Sequence, residues 1–138
     1  MANTLRLEIV TPDAQTYSDD VDMVVLPGVE GELGIYPQHV PLMTELTPGE
    51  LRVVQNGKEI LLAVGEGFAE VTSDHISVLT DMAVAEADID ENAVEAAIAR
   101  AEAAMAEKHA MGEEEVALVQ ASLNKSLAQL RVKRRRQV

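Results

Sequence analysis

The chain has 138 residues, 47% hydrophobic and 25% charged, a composition that fits one globular domain, or one domain with an appendage, and argues against disorder. Eleven basic and 24 acidic residues leave a formal net charge of -13, which argues against a surface that grips nucleic acid throughout. Cysteine is absent, excluding disulfides, thiolate metal sites and a cysteine nucleophile, and with no Trp, one Phe and two Tyr little is available to stack on bases.

Residues 1–6 carry neither a long apolar stretch nor an Arg/Ser-rich leader, and no run reaches the roughly 18 apolar residues that span a bilayer. The protein is therefore expected to act on the side of the membrane where it is made. Leu5, Leu7 and Ile9 alternate with Arg6 and Glu8, the period of a half-buried strand, and Val21, Met23 and Val25 repeat it. Gly28, Gly31 and Gly34 lie three apart, but no helix follows to receive a phosphate, so tight turns explain them. Asn56-Gly57 between the apolar runs 51–55 and 58–64 has the chemistry of a type I′ hairpin turn. Runs 68–72 and 76–80 flank Ser73-Asp74-His75, a second hairpin. All five prolines and seven of the eight glycines precede residue 85, so residues 1–85 are expected to form a β-sandwich or barrel of roughly eight to ten short strands.

Residues 83–128 hold 15 alanines in 46 positions and no proline, the composition of helix. Residues 86–138 are expected to form an antiparallel two-helix hairpin. Asp88, with Glu91 at capping-box spacing, or alternatively Asp90, caps the first helix. Its inner seam reads Val94, Ile98 and Met105 with Ala97, Ala101 and Ala104, and Gly112 is the expected C′ residue. Glu113-Glu114-Glu115 suit the positive end of the second helix, whose seam reads Val116, Val119, Leu123, Leu127 and Leu130.

Charge divides the chain. Residues 1–85 hold 14 acids and three bases, whereas residues 125–138 hold six bases (Lys125, Arg131, Lys133, Arg134, Arg135, Arg136) and no acid. A solvated helix end that complements the dipole accounts for this simply. Contact with nucleic acid is opposed by the acidic body, and an acidic protein partner fits better. Neither helix has an opposite-charge pair at i,i+3 or i,i+4, Glu91 repels Glu95, and Arg131 faces Arg134 and Arg135 at like-charge spacing. A seam built mostly of alanine buries little area, so the hairpin is expected to be held by at most a few kcal/mol and to be a moving part. His39, His75 and His109 have no metal-ligand spacing; His39, between Pro37 and Pro41, reads as a turn-stabilising residue. No enzyme active site is legible.

The segment Gly31-Glu32-Leu33-Gly34-Ile35-Tyr36-Pro37-Gln38-His39-Val40-Pro41-Leu42 resembles the signature of the epsilon subunit of bacterial and plastid F-type ATP synthases. Val10-Thr11-Pro12-Asp13 is similar to that family's first strand and turn. Gly65-Glu66-Gly67-Phe68-Ala69-Glu70-Val71 is similar to its Gly-Gly-Phe-x-Glu-Val strand with Glu66 inserted, and Ala128-Gln129-Leu130-Arg131-Val132 to its second-helix ending. The resemblance implies a ten-stranded β-sandwich followed by a two-helix hairpin, in a non-catalytic central-stalk subunit without cofactor or metal. It implies as partners the gamma subunit, the ring of c subunits and the alpha-beta hexamer, with contact to the c ring and gamma through Glu32, Gly34, Tyr36 and His39. It further implies a hairpin that permits turnover when folded and inhibits ATP hydrolysis when extended, its residues Lys125, Arg131, Lys133, Arg134 and Arg135 meeting an acidic segment of beta. The implied place is peripheral: the cytoplasmic face of a bacterial inner membrane, or the stromal thylakoid face, reached only through the complex.

Some members of that family bind ATP through an Ile/Leu-Asp-x-x-Arg-Ala motif. Here Ile89 and Asp90 remain but the arginine is lost, and Lys125 and Gln129 stand where other members place arginines, so the bidentate phosphate donors are missing and no ATP is expected to bind. The alternative reading is a free-standing β-sandwich interaction module whose basic helical arm docks some other acidic protein.

Overall fold

The computed structural model describes residues 3–135, except for the side chains at positions 15 and 16. Ten strands come first: β1 Leu5–Val10, β2 Gln15–Val21, β3 Met23–Gly28, β4 Gly31–Ile35, β5 Leu42–Leu46, β6 Gly49–Gln55, β7 Lys58–Val64, β8 Gly67–Val71, β9 His75–Thr80 and β10 Ala83–Ala85. A 3-10 turn at Glu86–Asp88 leads into α1, Glu91–Ala106, and a second at Lys108–Ala110 separates it from α2, Glu113–Arg135. Arg136, counted above in the basic tail, lies outside the described residues.

The strands form one continuous sheet in the order β10-β7-β6-β3-β5-β8-β9-β1-β2, with β4 attached to β3. The sheet folds over on itself at β3, whose first residues pair with β6 and whose last, Gly28, pairs with Leu46 of β5. At the opposite corner the Asp22 amide donates to the Val54 carbonyl at 2.8 Å as the chain crosses from β2 to β3. The two layers close over a single core in which Leu5, Leu7 and Ile9 meet Val24, Leu26, Leu51, Val53, Leu62 and Ile76. All pairings are antiparallel except that of β1 with β9.

Local chemistry explains the strand ends. Asn56 and Gly57 have φ of 52° and 76°, and Gln55 pairs with Lys58, so a two-residue turn with both central residues left-handed joins β6 to β7. The β8–β9 turn lies at Ser73-Asp74, where the Thr72 amide donates to the His75 carbonyl at 2.8 Å. The alternation seen in Val21, Met23 and Val25 does not belong to one strand. Val21 ends β2, and β3 is buried at every position from Val24 to Gly28, because both its faces are covered.

In the hairpin, Asp90 caps α1, accepting from the Ala93 amide at 3.1 Å, while Asp88 is taken up in the preceding 3-10 turn. Gly112 does not close α1. That helix ends at Ala106 with Glu107 as its C-cap, and the Gly112 carbonyl accepts the first α2 bond, from the Val116 amide at 3.1 Å, so the glycine opens α2.

Replacing Gly57 with Val should lower stability by about 1 kcal/mol or more, since a β-branched residue resists a positive φ; an unshifted urea midpoint would contradict this turn. Tyr17 packs against the sandwich core with its hydroxyl enclosed and unpartnered, and burial, then the charge of Asp19, pushes its phenol up from the ordinary 10.0. The folded chain holds that proton more tightly than the unfolded chain. The stability it contributes is therefore intact below pH 10.0 and is lost as pH rises through the folded value. Tyr17→Phe should be at least as stable at neutral pH and show a smaller alkaline loss in thermal melts; an unchanged alkaline loss would contradict this.

Candidate functional site

The hairpin is docked on the outer face of β6 and β7. A second core, separate from that of the sandwich, joins Leu61 and Ala63 of β7 to Ile89, Val94, Ile98 and Val132, with Met82, Val84, Leu123 and Leu130 packed against it. Strand β7 therefore serves both cores: Leu62 and Val64 face into the sandwich while Leu61 and Ala63 face the helices. In α1 the buried positions are Val94, Ile98 and Ala101, from the expected seam, whereas Met105 is only half-buried. In α2 they are Ser126, Ala128 and Val132, and Leu127, read as a seam residue, is exposed. A seven-residue spacing describes contact with one neighbour, and α2 has two, α1 and the sandwich.

The basic residues of α2 are mostly engaged by this chain's own acids. Lys125 Nζ lies 3.4 Å from Asp81 Oδ2, and Arg134 Nη2 donates to Glu95 Oε1 of α1 at 2.6 Å. Arg135 Nη1 donates to Glu50 Oε1 of β6, and Lys133 Nζ donates to the Glu86 carbonyl at 3.3 Å. The like-charge spacing of Arg131, Arg134 and Arg135 is relieved because the two last guanidiniums turn to different carboxylates. Arg131 is exposed and, among the described residues, takes part in no ion pair. It lines a cleft of about 540 Å³ with Leu127, Leu130, Arg134 and Arg135. It also lines a second cleft of about 330 Å³, where Glu32 and Glu50 from the sandwich meet Arg131 and Arg135.

At the β7–β8 corner Gly65 leaves room for the Asp81 carboxylate that pairs with Lys125. A Cβ on Gly65 would collide with Asp81 Oδ1, and one on Gly67 with the Leu79 carbonyl oxygen. The buried Thr80 hydroxyl fixes the same corner, accepting from the Gly65 amide at 3.1 Å and donating to the Glu66 carbonyl at 3.0 Å. Glu66 thus sits between two glycines, Gly65 facing the Asp81 side chain and Gly67 closely approached by the β9 backbone.

The remaining predicted site residues lie along β4 and the segment after it. Glu32 and Gly34 are exposed on β4, which begins after the Val29-Glu30 turn and pairs only with β3. Tyr36 is 61% exposed, and His39 is turned onto its own backbone, its Nδ1 2.7 Å from the Val40 carbonyl oxygen. Gln38 has φ of 68°, and its amide donates to the Ser73 carbonyl at 2.6 Å, tying this segment to the β8–β9 turn. Of the residues compared above with a nucleotide-binding motif, Ile89 is in the second core and Asp90 is the α1 cap. Lys125 pairs with Asp81, and Gln129 Nε2 donates to Met82 Sδ at 3.2 Å. These four residues are committed to structural contacts.

One surface escaped the sequence reading. Phe68 and Leu79, 54% and 55% exposed, are paired across β8 and β9, and Val10 is registered beside Leu79 on β1. On β5 the exposed Glu45 stands opposite Phe68, and Met43, also exposed, is two residues along, opposite Glu70. The signal was present: Phe68 and Leu79 occupy the outward phase of strands whose inward phase is Ala69, Val71, Ile76 and Val78. Exposed apolar neighbours in that phase mark an interaction surface. Among the described residues no His, Asp and Glu side chains converge as a metal site, and no helix is long and apolar enough to cross a membrane.

Comparison with known proteins gives this architecture a lineage. Residues 4–86 match the family model described as ATP synthase, Delta/Epsilon chain, beta-sandwich domain. The chain is 42% identical over 131 residues to the ATP synthase epsilon chain of Laribacter hongkongensis (strain HLHK9), covering 94% of this chain and 92% of that one. It is 50% identical over 102 residues to the ATP synthase epsilon chain of Desulforamulus reducens, covering 74% and 77%. Among solved structures, a chain of the Euglena gracilis mitochondrial ATP synthase, determined as OSCP/F1/c-ring in rotational state 1, shares the fold with a TM-score of 0.76 at 22% identity. The match covers 93% of this chain and 80% of that one.

Proposed function

The chain belongs to the ATP synthase epsilon-chain family, and we propose that it works as a non-catalytic central-stalk subunit that restrains ATP hydrolysis through its C-terminal hairpin. The observation that carries the regulatory part is the docking of the hairpin through a core of its own. Because Leu61, Ala63 and Val132 belong to that second core and not to the first, the helices can leave while the sandwich keeps its interior. In the docked state turnover is permitted. In the extended state α2 enters the alpha-beta hexamer and its cations meet an acidic segment of beta.

The sandwich supplies the anchorage. The exposed Glu32, Gly34 and Tyr36, with the half-buried His39, present an edge to the c ring and gamma, and the Val10, Met43, Phe68 and Leu79 surface offers gamma an apolar docking face. Residues 1–85 then act as the rotor-bound domain and residues 86–138 as its regulatory arm. The subunit is peripheral, on the cytoplasmic face of a bacterial inner membrane or the stromal face of a thylakoid, and reaches the membrane only through its partners. Ile89, Asp90, Lys125 and Gln129 are used for capping and packing, which favours operation without bound nucleotide.

The cleanest test of the inhibitory face is Arg131. Substituting all the basic residues would weaken the docked and the extended state together, since Lys125, Arg134 and Arg135 have carboxylate partners in this chain. Arg131 is not so engaged. Exposed pairs are worth about 0.2–1 kcal/mol, and charge reversal replaces attraction by repulsion, so Arg131→Glu should weaken inhibition by roughly 0.5–2 kcal/mol. Hydrolysis by the reconstituted complex at matched occupancy should rise, and salt should relieve wild-type inhibition. Equal, salt-insensitive inhibition by both proteins would contradict contact through this face.

A further inference from the structure

The acids that hold the basic helix belong to three different places in the chain. Glu50 lies on β6, Asp81 in the β9–β10 connection, and Glu95 on α1. They take Arg135, Lys125 and Arg134 respectively, so the pairs are spread from position 125 near the middle of α2 to position 135 at its end. The Glu50 side chain is only 17% exposed, at the wall of the cleft that Glu32 also lines. The pairs tie α2 both to the sandwich and to α1. An excess of acid in residues 1–85 is therefore placed where the one basic stretch must lie when the hairpin is docked.

We propose that Glu50, Asp81 and Glu95 form an electrostatic clasp, an internal stand-in for an acidic protein partner, which occupies Lys125, Arg134 and Arg135 in the docked state and must be exchanged for that partner when the hairpin is released. The partner assignment rests on the inhibitory reading above; the clasp itself rests on the ion pairs alone. Exchange leaves the same cations paired before and after, so the balance between states is set by which set of acids is better placed rather than by the full strength of either. Arg131, which among the described residues has no ion-pair partner in the docked state, is the cation an acidic segment meets first without breaking any of these three pairs. The remaining pairs are then traded outward from it, Arg134 and Arg135 lying within one turn of the same helix.

The clasp is testable on the isolated full-length chain, with no ATPase present. The chain has no cysteine, so a thiol introduced by Ala128→Cys, at a fully buried α2 position, is labelled only when the hairpin opens. A second probe, Ala69→Cys, sits in the sandwich core. Exposed pairs each shift such an equilibrium by about 1.4- to 5-fold, so combining Glu50→Gln, Asp81→Asn and Glu95→Gln should speed labelling at position 128 roughly threefold or more at low salt. Added salt should bring the wild-type rate towards that of the triple variant, while labelling at position 69 stays unchanged. Equal labelling at 128 with and without the acids would overturn the clasp, and so would equal acceleration at both positions, which would mean general destabilisation. Faster labelling at 128 combined with unaltered inhibition by Arg131→Glu would leave the clasp standing and remove the contact of an acidic partner through this face.

Discussion

Strand β7 is the constraint from which the arrangement follows. Four consecutive residues, Leu61 to Val64, are buried, yet in a strand successive side chains point to opposite faces. The inward pair, Leu62 and Val64, closes the sandwich; the outward pair, Leu61 and Ala63, needs cover from elsewhere. The helical hairpin provides it with Val94, Ile98 and Val132. Burying a side chain such as Leu61 or Val132 is worth about 1.5–3 kcal/mol, so a cluster this small docks a helix without making it inseparable. The sandwich core, by contrast, draws on strands from both layers and owes nothing to the helices.

Charge refines what burial begins. The acidic body and the basic helix end attract each other across the docking surface, and three of the cations find carboxylates there. The pairs are partly solvated, Glu50 least, so each adds little alone, but they converge on one helix. The regulatory arm proposed above needs a docked state that is specific yet only modestly stable. A small apolar core with a charged margin has those properties.

Much of this was legible in the sequence. The Leu5-Leu7-Ile9 alternation, the Asn56-Gly57 turn and the alanine-rich second half identify the sandwich, its hairpin and its helices, because each depends on local chemistry. The errors arise where a distant neighbour decides. Asp88 and Asp90 are both competent caps, and the 3-10 turn that carries Ile89 into the second core selects Asp90. Gly112 could close one helix or open the next, and the 3-10 turn at Lys108–Ala110 gives it the second task. Leu127 fits the seven-residue spacing of a two-helix seam, but α2 also lies on the sandwich, which turns Ala128 and Val132 inward and leaves Leu127 exposed. The basic positions of α2 were visible as charges, whereas their carboxylate partners, up to 85 residues away, were not.

The central claim is that the two cores are energetically separable, the hairpin opening from an intact sandwich. Native-state hydrogen exchange on the full chain measures this directly, since each amide reports the free energy of the opening that exposes it. The account predicts that amides of α1 and α2 exchange through an opening well below the global unfolding free energy, with β1, β8 and β9 protected to the global value. Exchange of helices and strands at one common free energy would contradict it, because the hairpin would then be part of a single cooperative unit and could not move alone.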